Sequence, residues 1–157
     1  MVNRYFPYRS RSAYQSGVGL IEVMVAVFVL AVGMLGIAAM QAMALRNSQS
    51  SLERSQAVIQ SYSIMDAMRA NHAVAITGGY NFPLPTNPTL CPAPAPDGSL
   101  VKADLNDWIE SLKATIGEGA CGSIDCVGSL CEIVVTWDDS RGNTGSNKYE
   151  VVTEGSI

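Results

Sequence analysis

Apolar and polar positions separate along this chain near residue 45. From residue 23 to 45 nothing is charged, and Val, Leu, Met, Ala, Ile and Phe dominate. As a helix rising about 1.5 Å per residue, that run is roughly 34 Å long. It therefore spans a bilayer core of about 30 Å with modest tilt. Residues 47–51 are polar, and Leu52, Ile59, Tyr62, Met65 and Met68 then recur at helical spacing. Glu53, Arg54, Gln56, Gln60, Asp66 and Arg69 take the other faces, which is an amphipathic pattern. No glycine or proline interrupts residues 45–76, so the pattern predicts one continuous helix ended by Gly78-Gly79. The stripe is expected to pack on a sheet, with the methionines filling the core.

Residues 80–99 hold Pro83, Pro85, Pro88, Pro92, Pro94 and Pro96 and end in Asp97-Gly98. They read as a long loop with extended pieces, pinned by Cys91. Residues 104–116 form a short second helix, capped by Asp104, with Leu105, Trp108, Ile109, Leu112 and Ile116 on one face. The glycine-rich stretch 117–129 reads as turns. Residues 131–137 and 148–153 alternate apolar with polar positions, and the polar run beginning at Asp138 separates them. They predict a hairpin. The fold class is α+β: a long N-terminal helix on a small antiparallel sheet, with a short second helix and disulfide-pinned loops.

Composition sharpens this picture. The chain of 157 residues carries 10 Lys+Arg against 14 Asp+Glu. Arg4, Arg9 and Arg11 fall in the first 17 residues, where there is no acid. Without that leader the balance is 7 against 14, a net charge of −7. The basic leader holds the N-terminus in the cytoplasm and places everything after the span outside. The remaining basic residues are scattered and form no stripe, so no nucleic acid is expected as partner.

The cysteines Cys91, Cys121, Cys126 and Cys131 all lie in the exported part. An even number in an oxidising compartment reads as two disulfides. All three pairings are open; Cys91–Cys131 with Cys121–Cys126 is favoured, because the second closes a small glycine-bearing loop. Zinc ligation and free thiols are rival readings, the first weakened by loose spacing and the distance to His72. The acidic loop from Asp138 to Asn143 lacks the spaced ligands of a Ca²⁺ site and reads as turn chemistry. There is no phosphate-binding loop, no HExxH and no nucleophile elbow. Asp107 and Glu110 read as a solvated face and His72 as a surface histidine. Neither an enzyme nor a cofactor is expected.

The junction between leader and span carries the most specific signal. Gly17 is followed by Val18-Gly19-Leu20-Ile21, then Glu22, then the apolar run. A carboxylate at the edge of a span is costly unless paired or near water. This boundary, over residues 16–44, resembles that of type IV pilins and pseudopilins. The narrower resemblance is to minor pilins of the pilus-modification type. It rests on residues 16–47 with Val32-Gly33-Met34-Leu35-Gly36, and on Trp137-Asp138-Asp139-Ser140-Arg141.

The resemblance implies a prepilin leader at 1–17, a transmembrane assembly segment at 18–45 and a periplasmic head at 46–157. A prepilin peptidase would cut between Gly17 and Val18 and methylate the Val18 amine. Glu22, one helical turn away, would pair with the N-terminal amine of a neighbouring subunit and set axial register. Implied partners are other minor pilins, the major pilin, the inner-membrane assembly platform and the lipid bilayer. The implied location is the bacterial inner membrane, single-pass, and then the pilus fibre. Val18-Gly19 departs from the commoner Phe-Thr pair, and the helix lacks the proline of many major pilins. A type II secretion pseudopilin carries the same N-terminal motif. A plain membrane-anchored periplasmic binding domain would carry it by coincidence. A secretory signal cut after Ala42-Met43-Ala44 would release the head instead.

Overall fold

A computed structural model describes residues 17–85, 91–140, 142 and 145–157, apart from the side chain of Asn147. The leader residues 1–16, Pro88, Arg141 and Asn143, each part of an expectation above, lie outside the described residues. The chain divides into two units, 1–40 and 41–157. Helix α1 is Leu20–Ala70. Its residues 20–40 expose every side chain, and its length and apolar composition suffice to cross a membrane.

The second unit holds the rest of α1, then α2 (His72–Ala75) and α3 (Leu100–Thr115). A three-stranded antiparallel sheet follows, in the order β1 (Cys121–Val127), β2 (Leu130–Asp139) and β3 (Ser146–Ser156). Long helix, short second helix, small antiparallel sheet and two disulfides make this the expected pilin-like α+β fold.

Several details differ from the sequence pattern, each for a local reason. The long helix stops at Ala70 instead of running to 76. Asn71 leaves the helical region, at φ −115° and ψ 43°, and its side-chain amide donates to the Tyr80 hydroxyl at 3.2 Å. A tertiary partner thus interrupts the helix without glycine or proline. The chain resumes as α2 and then turns at Gly78, whose φ of +79° suits glycine.

Helix α3 begins four residues before the expected Asp104. Ser99 is its cap and accepts from the Lys102 amide at 3.4 Å. Asp97 accepts from the Ser99 amide and hydroxyl at 3.0 and 2.6 Å, and it pairs with Lys102 Nζ at 2.7 Å. Asp104 lies inside the helix and binds Tyr80. The stretch expected as turns contains strand β1, and Asp138 and Asp139 belong to β2 rather than to the loop.

The inward face of α1 is also not the one that large side chains indicate. Leu52, Ile59 and Tyr62 are exposed, whereas Ser50, Ala57, Ser61, Ile64, Met65 and Met68 are buried. Large side chains from the facing elements reach across to α1 here. Trp108 Nε1 of α3 donates to the Gln60 carbonyl at 3.1 Å, and Gln60 Nε2 donates to Ser111 Oγ at 2.7 Å. Ser61 satisfies its own hydroxyl on the Ala57 carbonyl at 2.9 Å. Close approach also explains Gly122 in β1, where a Cβ would sit 2.3 Å from the Trp108 ring. Ile64, Met65 and Met68 complete the core with Leu105, Ile109, Leu112, Ile124, Ile133 and Val135.

Candidate functional site

The N-terminal site is built where the apolar helix begins. The amides of Glu22 and Val23 both donate to the Gly19 carbonyl, at 3.0 and 3.3 Å. Helix α1 therefore opens immediately after Gly19, with Glu22 in its first turn. Val18 precedes the helix, so the expected full turn from Val18 to Glu22 is only partly wound. Val18 is exposed. Among the described residues, a Cβ placed on Gly17 meets nothing within 4 Å. Packing among the described residues does not require glycine there. Gly33 and Gly36 are equally open, with nothing within 4 Å of an added Cβ.

The four cysteines form two bridges, Cys91–Cys121 and Cys126–Cys131. This corrects the favoured pairing of Cys91 with Cys131 and of Cys121 with Cys126. Cys121 and Cys126 open and nearly close the same strand, five residues apart. That is about 16 Å along a strand, and the two side chains leave opposite faces. A disulfide needs Cα atoms within about 7 Å. Cys126 faces Cys131 directly across the β1–β2 hairpin, with Cα atoms 4.1 Å apart. Cys121 is left to pin the proline-rich loop through Cys91.

Two polar clusters hold the head together. Asp139 is buried at the end of β2, accepts from Ser50 Oγ at 2.7 Å and lies 3.7 Å from the Arg54 guanidinium. Arg54 also stacks over the Tyr149 ring at 4.2 Å, and Tyr149 packs on Trp137 at 5.2 Å. Tyr80 is fully buried and donates to Asp104 Oδ2 at 2.5 Å. Burial, and then the bond to Asp104, push its phenol above the ordinary value. Lys102, with help from Ser99, holds the Asp97 carboxyl well below the usual carboxylate range. His72 is exposed at the start of α2. Among the described residues, no three His, Cys, Asp or Glu side chains converge to hold a metal.

The N-terminal geometry has a counterpart among known sequences. Residues 12–38 match the prokaryotic N-terminal methylation motif. It is the signal carried by type IV pilins and pseudopilins. The motif encloses Gly17, Val18 and Glu22 together with the first part of α1. The motif and the exposed apolar helix are together consistent with a membrane-anchored pilin. They are consistent with processing by a prepilin peptidase and with pilin assembly. No curated protein and no solved structure matches the chain significantly.

Sequence reasoning missed the two clusters in the head. Ser50 and Asp139 are 89 positions apart, and Tyr80 and Asp104 are 24 apart. Nothing periodic connects them. The one usable signal was the acid at the end of an alternating strand, where Asp139 keeps the inward direction of the buried positions before it.

Proposed function

We propose that this chain is a low-abundance, minor type IV pilin that helps initiate or assemble the pilus by packing with other pilins. The observation that carries the reading is Gly17-Val18 immediately ahead of an exposed apolar helix with Glu22 in its first turn, all within a methylation motif. Residues 1–17 act as leader, 18–45 as the membrane and assembly segment, and 46–157 as the periplasmic head of a single-pass protein.

The mechanism is mechanical, without catalysis or cofactor. A peptidase groove that grips an extended backbone excludes a side chain at Gly17, where an added Cβ meets nothing among the described residues. Cleavage frees the helix from its cytoplasmic tether. Its apolar side chains then exchange lipid for neighbouring helices, and Gly33 and Gly36 allow close approach. In that dry bundle, Glu22 pairs with the methylated Val18 amine of a neighbour; a buried pair of this kind contributes register more than stability. The exposed Leu52 and Ile59 offer further apolar contact to a neighbouring subunit.

The test is the intact mass and N-terminal sequence of the protein from its native membrane. A start at Val18 with one added methyl group is the expected result. A start at Met1 or Leu45 would eliminate the filament reading in favour of a simple anchor or a released domain. A type II secretion pseudopilin shares the same processing, and co-purification with secretion components instead of pilins would identify it.

A further inference from the structure

The sheet turns one face toward α1 and α3 and leaves much of the other open. The strand registers arrange that outer face in rows. Val127 stands opposite Leu130, Asp125 opposite Glu132, Glu132 opposite Glu154, and Val134 opposite Val152. Val127 is 79% exposed, Leu130 68% and Val152 50%. Large apolar side chains on a solvated sheet face mark an interaction surface.

Between the apolar rows run three carboxylates abreast, Asp125, Glu132 and Glu154. Neighbouring strands are about 4.8 Å apart, so the row spans roughly 10 Å. Like charges directly opposite destabilise a sheet. Among the described residues no ion pair reaches any of the three; Asn81 Nδ2 lies 3.4 Å from Asp125 Oδ1. Lys148, six residues before Glu154 on β3, is engaged by Glu150 at 3.6 Å, and Arg69 near the end of the strand donates to the Ser156 carbonyl at 2.9 Å and pairs with Asp66. The isolated fold thus carries both an apolar exposure and a repulsion that it does not relieve itself.

We infer that this outer face docks a different protein chain, one that presents lysine or arginine between apolar side chains. Charge complementarity selects that occupant. A second copy would bring carboxylate against carboxylate. An anionic membrane surface would be repelled by the same row. The three acids stand side by side and do not converge as metal ligands. The inference is independent of the filament reading, because leader processing at Gly17 is scored separately by mass in the same membranes.

The experiment uses the full-length protein in its native membrane, with Val152 replaced by the photocrosslinker p-benzoylphenylalanine. The expected result is an adduct with another protein whose crosslinked peptide contains lysine or arginine. Glu132→Lys with Glu154→Lys should reduce the adduct roughly five- to tenfold. Replacing the partner's cation with glutamate should restore it. Glu132→Gln with Glu154→Gln guards against misfolding: it should also weaken the adduct, while raising the melting temperature by about 2 °C or more. Absence of an adduct, an adduct to a second copy or to lipid, or insensitivity to both double variants would overturn the inference. So would CaCl₂ stabilising the wild type but not the Gln variant, which would assign the row to a cation.

Discussion

A single hydroxyl does much to define how the proline-rich loop enters the head. Tyr80 is fully buried, yet its oxygen meets both Asn71, where α1 breaks, and Asp104, inside α3. Tyr80→Phe keeps the ring and removes both bonds. Asp104 is only half-buried, so water replaces part of the loss, and the expected destabilisation is about 1–2 kcal/mol. Urea unfolding of the two proteins measures it. The folded phenol titrates above its unfolded value of 10.0. The wild-type advantage is therefore complete below that pH and falls as the pH rises through the folded value. A difference that persisted undiminished in strong alkali would contradict the assignment. None of this was legible locally, because Tyr80 in sequence is simply the first residue of a loop.

At the scale of elements, the two bridges have unequal work. Cys91–Cys121 closes a separation of 30 residues and Cys126–Cys131 one of 5. Loop-closure entropy gives about 3.5 kcal/mol for the first and about 2 kcal/mol for the second. Replacing Cys91 and Cys121 by serine should thus lower the urea midpoint further than replacing Cys126 and Cys131. The reverse order would show that the hairpin staple dominates. Element type was legible wherever periodicity was strong: Leu105, Trp108, Ile109 and Leu112 do form the buried face of α3. Strand β1 was not, because Gly122 and the flanking glycines suggest turns. Gly122 is explained only by the Trp108 ring above it.

For the molecule as a whole, the proposed filament role turns on Glu22. Glu22→Ala should leave membrane insertion intact, since it makes the span more apolar, while reducing incorporation into sheared filaments severalfold. Quantitative immunoblots of membrane and filament fractions would measure both. Equal incorporation of the variant would remove Glu22 from assembly.

Local chemistry by itself determined the long apolar helix, the methylation motif over residues 12–38, the buried face of α3 and the β2–β3 hairpin. Each depends on the order of neighbouring residues: an uncharged run long enough to span a bilayer, or a period that repeats within one element. The tertiary structure alone decided the cysteine pairing, the inward face of α1, the helix break at Asn71 and the burial of Asp139. These depend on which surfaces meet. A small side chain such as Ala57 is buried where larger side chains of the head cover it, and a large one such as Ile59 is left outside where nothing among the described residues covers it.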